Sequence, residues 1–244
     1  MPQRLQKLIA NAGYGSRRWA EKCIEHGRVT LNNKKAQIGD KAILNDQVQI
    51  DGQLINLKRF VENETKVLIL NKQSGIVCTT KDEQGRKNVF DLLPKNTRWI
   101  MVGRLDLNTS GLLLFTNNGE LANRLMHPSS EVDREYAVRV LGKVEKKDIN
   151  KLTSGIRLED GIAKFHRLTM GGGTGANRWY RVVLRGGKKR EVRRLWEALG
   201  FRVSRLIRIR FGDIRLPESL HANQSEYLKP KQVKALLNMV KLKE

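Results

Sequence analysis

The chain has 244 residues, with 47 Lys and Arg against 25 Asp and Glu, a formal charge of +22. Self-repulsion of that size is best tolerated beside a polyanion, and no apolar run approaches the roughly 20 residues that span a bilayer, so nucleic acid is the expected partner and a membrane is not. The only cysteines, Cys23 and Cys78, and the four scattered histidines show no metal-ligand spacing and no disulfide framework. A reducing, cytoplasmic setting and a chemistry without metal or other cofactor are therefore expected. The N-terminal residues enter an amphipathic pattern directly, with no secretory apolar region.

In chain order, Leu5, Leu8, Ile9 and Ala12 recur at i, i+3, i+4 and i+7, which predicts one buried face of a short helix ending at Gly13. Ser16 is a candidate cap for a second helix over 17–26 that buries Trp19, Ala20, Cys23 and Ile24 and ends at Gly27. Strands at 29–31 and 48–50 follow, with Asn32-Asn33 and Asp51-Gly52 as turns. Arg4, Lys7, Arg17, Arg18, Lys22, Arg28, Lys34 and Lys35 fall mostly off the apolar faces. Each alone is ordinary solvated surface, but eleven basic and five acidic residues give residues 1–60 a net +6. The run R-L-Q-K-L-I-A-x-A-G-x-x-S-R-R, with the later I-x-x-G-R-V-x-L-N, resembles the S4 RNA-binding domain. That resemblance implies that the two helices and the loop after them lie on structured RNA, through phosphate and shape contacts.

A polar stretch over 56–64 reads as a linker, so residues 1–60 and 61–244 are expected to be separate domains. The second opens with a continuous apolar strand at 67–70, a turn over Asn71-Lys72-Gln73-Ser74-Gly75 and a strand at 76–79. The stretch Gly103-Arg104-Leu105-Asp106-Leu107-Asn108-Thr109-Ser110-Gly111 then sets one carboxylate on a polar turn before the apolar run 112–115, which reads as a buried strand. A carboxylate carried there is held rigidly, which suits catalysis. A buried Asp also tends to gain a proton, so a cation is expected to hold Asp106 charged. Helices are expected at 120–127, stopped by Pro128, at 191–199, closed by Gly200, and at 230–240, over one edge of the sheet. Strands are expected at 136–141, 180–184 and 203–210. The glycine run 171–175 lacks the Gly-Lys-Ser/Thr ending of a P-loop and reads as a surface loop. These elements make an α+β fold, a large mixed and mostly antiparallel sheet with helices against it.

The pattern G-R-L-D-x-x-T-S-G-L-L-L-x-T-N-x-G over 103–119 resembles the catalytic motif of pseudouridine synthases, the S4-containing rRNA branch included, and the resemblance extends over almost the entire chain. It implies that Asp106 is the essential carboxylate of a cofactor-free reaction that breaks the N1–C1′ bond of a uridine, turns the uracil and joins C5 to C1′. Whether the carboxylate attacks C1′ or acts as a base on the ribose stays open. Arg134-Glu135-Tyr136-Ala137-Val138 matches the family's K-x-Y-x-V segment with Arg134 in place of Lys, which implies that Tyr136 stacks on the flipped uracil. Residues 187–200 match R-x-x-Q-[VI]-R-R, which implies that Arg193 pairs with Asp106, with Arg194 the next candidate. Glu191 replaces the family's Gln, a second acid that either weakens Arg193's pairing or is tolerated by pointing outward. Leu206 matches a leucine that packs beside the base. Arg104 is placed to fill the gap left by the extruded base or to hold a phosphate. Lys188, Lys189, Arg190, Arg202, Arg208 and Arg210 are assigned to phosphate contacts or solvated surface. Gln73, where the family has proline, is expected to soften its turn. Runs such as 119–128 and 191–198 are closest to large-subunit members of the family. They imply a uridine of 23S rRNA near the peptidyl transferase region, acted on by a monomer. The alternatives are a 16S rRNA enzyme or a non-catalytic ribosome-assembly factor.

Overall fold

The computed structural model describes residues 2–59, 64–79, 82–173 and 175–242. The expected domain boundary at 60/61, most of the second half of the linker, and Thr174 of the glycine run lie outside the described residues. The chain forms two compact units, one of residues 1–64 with 95–98, the other of 65–94 with 99–244.

The first unit holds β1 (Gln3–Arg4), α1 (Leu5–Asn11), α2 (Arg17–Glu25), β2 (Val29–Leu31), β3 (Lys34–Lys35), β4 (Lys41–Ala42), β5 (Val48–Ile50) and β6 (Gln53–Ile55). Ser16 caps α2, its hydroxyl accepting the Trp19 N–H at 3.1 Å. The apolar faces of both helices meet β2 and β5 in one core around Leu5, Leu8, Ile9, Ala20, Cys23, Ile24 and Val48. Trp19 departs from the expectation. It is 36% exposed, and its ring lies over Gly15, where an added Cβ would come within 2.2 Å. Strand order is β3-β2-β5-β6. The two-residue connections have left-handed backbone at Asn32, Asn33, Asp51 and Gly52, the conformation that matches strand twist in a tight hairpin.

The second unit comprises β7 (Val67–Lys72), β8 (Ile100–Val102), β9 (Ser110–Thr116), α3 (Gly119–Met126), β10 (Arg134–Leu141), α4 (Lys146–Ser154), β11 (Ile156–Leu158), β12 (Gly161–Ala163), β13 (Arg167–Gly172), β14 (Asn177–Leu184), α5 (Glu191–Glu197), β15 (Arg202–Phe211), β16 (Ile214–Arg215), β17 (Ser225–Tyr227) and α6 (Pro230–Met239). The large sheet runs β13-β14-β10-β15-β9-β7-β17, with β16 on β15 and β8 on β9. It is mixed and mostly antiparallel as expected; β9 and β15 run parallel, with Arg208 opposite Gly111.

β7 and β9 are buried on both faces, which is why they read as unbroken apolar runs rather than alternating ones. Val67, Ile69, Leu112 and Leu114 pack with α3 and α6 on one side. Leu68, Leu70, Leu113 and Phe115 pack on the other against Ile76, Val89, Trp99 and Leu105. Helix α6 thus covers a face, through Val233, Leu236 and Leu237, and not the expected edge. A third core gathers Val138, Tyr180, Val182 and Leu206 under Leu195 and Trp196 of α5. Tyr136 borders both this core and the one under β7.

Other corrections are local. Asn71 and Lys72 extend β7 instead of turning. The expected strand at 76–79 is a single bridge, Val77 to Asn88. Gly171 and Gly172 finish β13 instead of forming a loop. Helix α4 and the β11–β12 hairpin have no counterpart in the sequence reading.

The parallel junction depends on Gly111, whose φ is +101° and where a Cβ would lie 2.3 Å from the Arg208 carbonyl oxygen. Gly111→Ala is expected to cost about 2–5 kcal/mol through backbone strain and overpacking together. Chemical denaturation measures this, and a loss below 1 kcal/mol (an order-of-magnitude threshold) would mean the strands can part there.

Candidate active site

Asp106 begins a tight turn ahead of β9, closed by the Thr109 N–H donating to the Asp106 carbonyl at 3.0 Å. Every carbonyl of this turn is held by a cation. The Lys72 ammonium, fully buried at the end of β7, lies 2.8 Å from the Thr109 carbonyl oxygen, 3.3 Å from that of Asp106 and 3.4 Å from that of Leu107. It also donates to the Gln73 carbonyl at 3.1 Å. The remaining carbonyl, of Asn108, accepts from Arg193 at 2.9 Å. Burial pushes the Lys72 amine below its ordinary range, against the opposing charge of Asp106.

Arg193 therefore reaches the Asp106 turn differently from the expectation. No ion pair joins it to Asp106 within the described residues. Its guanidinium bridges the Asn108 carbonyl to that of Val203, 3.0 Å away. Burial and the neighbouring Arg190 lower its pKa while the Asp106 charge raises it. Arg193 positions the turn, and the turn positions the carboxylate.

Gln73 does not soften its loop. Its N–H donates to Asn223 Oδ1 at 3.2 Å, and its side-chain oxygen accepts from Asn223 Nδ2 at 2.6 Å. A proline has no N–H for the first of these bonds.

Asp106 faces a cavity of about 660 Å³ lined also by Arg104, Arg134, Tyr136, Leu206 and Arg208, and at its rim by Gly186, Gly187, Lys188, Lys189 and Arg190. Asp106, Tyr136, Arg104 and Leu206 are thus brought together as expected from the sequence. On β10 and β15, Tyr136 stands opposite Arg208, and Val138 opposite Leu206. Lys188, Lys189 and Arg190 are exposed at the rim, although Lys188 also binds the Asp160 carbonyl at 2.7 Å and Arg190 meets Glu197 at 3.1 Å.

Arg194 is not brought to the cavity. Its guanidinium is paired with both oxygens of Asp160, at 2.9 and 2.8 Å, on the β11–β12 turn. Arg210 is likewise internal structure and not surface, donating to Glu135 at 2.7 Å and to the Gly212 carbonyl at 2.7 Å. Arg208 is 2% exposed and not a phosphate contact on the outside. Glu191 points inward. It is buried, packs on Gly186 and accepts the Lys188 N–H at 3.1 Å. Burial raises its pKa above the ordinary 4.5.

The sequence reading missed Lys72 and the interior placement of Arg208. Period-two alternation had a signal for the second, since Leu206 and Arg208 share a face of one strand. Lys72 follows a run buried on both faces, where no alternation exists to read. In the first unit Arg4, Arg17, Arg18, Lys22, Lys34 and Lys35 are exposed and Lys7 is half-buried. Arg28 is also exposed but is committed to Asp51, its Nε donating at 2.8 Å. Among the described residues no three His, Cys, Asp or Glu side chains cluster as metal ligands, and no helix is long and apolar enough to cross a membrane.

A carboxylate on a rigid turn and a tyrosine ring thus line one cavity, with cations around them. A solved crystal structure of a pseudouridylate synthase matches 96% of this chain and 99% of its own, with a TM-score of 0.67 at 26% identity. Residues 66–198 match the RNA pseudouridylate synthase family and residues 3–48 the S4 domain. The ribosomal large subunit pseudouridine synthase B of Escherichia coli K12 is 54% identical over 90% of this chain and 77% of its own. The proteins of that name from Yersinia pestis and Haemophilus influenzae are 53% and 50% identical, over 90% and 98% of this chain and 70% and 68% of theirs. The chain belongs to the RNA pseudouridylate synthase family.

Two expectations follow from this geometry. Lys72→Met removes the buried cation shared by the carbonyls of Asp106, Leu107 and Thr109, while the Thr109 and Gly75 N–H groups still reach the first two. It should cost about 2–4 kcal/mol of stability and, because small displacements of a reacting group are expensive, about 100-fold in kcat. Denaturation and single-turnover assays measure the two, and a wild-type kcat would show that the turn holds without the lysine. Glu191, with its pKa raised, contributes no penalty below pH 4.5, where folded and unfolded chains both bind the proton. Its destabilisation grows as pH rises through the folded-state value. Glu191→Gln should therefore raise Tm at pH 7–8 and the gain should vanish near pH 4. A gain independent of pH would place its origin outside this ionisation.

Proposed function

We propose that this chain isomerises a uridine of large-subunit ribosomal RNA to pseudouridine, at a position in 23S rRNA near the peptidyl transferase region, and that it acts as a monomer. The observation that carries the reading is the convergence of Asp106, Tyr136 and Leu206 on one cavity beneath a cationic rim. Its volume lies within the range of sites for small ligands. A uridine extruded from its stack fits there with the ring against Tyr136 and Leu206 and the sugar toward Asp106.

Asp106 is the catalytic group, acting at C1′ or on the ribose. Arg193 holds the turn that aims it. Arg104 and the rim cations Lys188, Lys189 and Arg190 neutralise the phosphates of the flipped nucleotide and its neighbours. The exposed basic side chains of the first unit, Arg17, Arg18, Lys22, Lys34 and Lys35, take further backbone phosphates. Such contacts position RNA without reading its bases. The names of the relatives favour the large subunit over the small one as the source of the substrate.

Tritium release from rRNA labelled at uridine C5 tests the reading, comparing wild type with Asp106→Ala and Asp106→Asn. Wild type should release tritium, and both variants should lose about 10³-fold or more of the rate. Sizeable residual turnover would remove Asp106 from the chemistry. Release by none of the three, with rRNA binding intact on free rRNA and on a large-subunit assembly intermediate, would make the protein a binding factor.

A further inference from the structure

Arg208 is the least compensated charge in the cavity. It is 2% exposed, and burying a cation without a partner is costly enough to require an explanation. One of its five N–H groups is used by the protein: Nε donates to the Leu112 carbonyl at 2.7 Å. Its Nη2 is buried with no acceptor at all, and no carboxylate lies within ion-pair distance of it among the described residues. The acidic groups on the cavity wall do not serve it. Glu191 accepts the Lys188 N–H, and Asp106 forms no ion pair among the described residues.

The arginine is also rigid. Its backbone is clamped beside Gly111 at the β9–β15 junction. Its guanidinium lies 5.4 Å from the centre of the Phe211 ring, which Arg134 approaches to 5.3 Å from its own position. Across the sheet it stands opposite Tyr136, and two residues before it on the same strand is Leu206. Arg208 lines the cavity beside the two side chains proposed to hold the uracil, and a guanidinium with unused N–H groups there suits the edge of that ring. The phosphates have the exposed rim cations and need no donor at this depth.

We infer that Arg208 donates to an exocyclic oxygen of the extruded uracil and stabilises the negative charge that develops on the ring when the glycosidic bond breaks. This rests on the functional reading above and assigns it a further substrate-contacting residue. When N1–C1′ breaks, the electron pair leaves with the uracil and is shared between O2 and O4. In one route C1′ bonds to the Asp106 carboxylate, which C5 later displaces. In the other Asp106 takes the C2′ proton as C1′=C2′ forms, and returns it when C5 adds to C1′. Both routes send out the same uracil anion, and both end with N1 gaining a proton and C5 losing one. Turning the ring about its N3–C6 axis exchanges N1 with C5 and O2 with O4. A donor fixed at one of those oxygens therefore meets an oxygen before and after the turn. Such a preorganised donor acts mainly on the charged state, so its loss should appear in kcat.

The experiment uses the full chain and an rRNA fragment whose target is uridine, 2-thiouridine or 4-thiouridine, since sulfur accepts hydrogen bonds weakly. Single-turnover rates of pseudouridine formation are followed for wild type, Arg208→Gln and Arg208→Lys, with RNA affinity from filter binding. Arg208→Gln should lose about 10²–10³-fold in rate with Kd within about twofold, and Arg208→Lys less. Wild type should be slowed at least tenfold by one thio substitution, and that ratio should collapse in Arg208→Gln. A rate matching wild type, a loss confined to Kd, or a thio ratio unchanged in the variant would overturn the inference while leaving the functional reading in place. No turnover by wild type would overturn that reading and this inference with it. If neither variant folds, the wild type decides: equal rates on all three substrates exclude the contact.

Discussion

The Asp106 carboxylate depends on a tight turn whose four carbonyls all point at buried cations. Lys72 takes the carbonyls of Asp106, Leu107 and Thr109, and Arg193 takes that of Asn108. Hydrogen bonds to charged groups contribute about 1.5–3 kcal/mol each, and unmaking them in a buried site costs the desolvation of the acceptor as well. The turn is thereby locked between the end of β7 and the face of α5. Among the described residues neither cation forms an ion pair with the Asp106 side chain, although its charge acts on both.

The same economy recurs around the cavity. Arg134 donates to the carbonyls of Arg185 and Gly186, 2.7 and 2.8 Å away, and Arg208 to that of Leu112. Cations satisfied by backbone carbonyls hold the loops in place while leaving the positive potential of the site uncancelled. Where full neutralisation does occur, as in Arg194 with Asp160 or Arg210 with Glu135, the side chain serves the frame and not the cavity. The charge of +22 is thus divided among exposed groups, internal pairs and a few buried donors around the cavity.

Much of this was open to sequence reading, for identifiable reasons. Helix caps and hairpin turns are local, so Ser16, Asn32-Asn33 and Asp51-Gly52 declared themselves. Long apolar runs announced β7 and β9 because both faces of those strands are covered. The placements of Glu191 and Trp19 are not legible locally because burial of a single side chain is decided by what packs on it from distant segments. The rigidity of Gln73 is invisible locally, since its partner Asn223 lies 150 positions away in the chain.

The sequence by itself determined the class of fold, most of the helices and strands that build it, and the carboxylate and tyrosine that line the cavity. These follow from periodicity, local turn chemistry and a long motif, all carried by neighbouring residues. The tertiary structure alone decided which of the many arginines and lysines are internal. Charge is identical along the sequence whether a guanidinium meets water, a carboxylate or a carbonyl, and only the parallel junction of β9 with β15 and the packing of α5 against it distribute Arg193, Arg194, Arg208 and Arg210 among those fates.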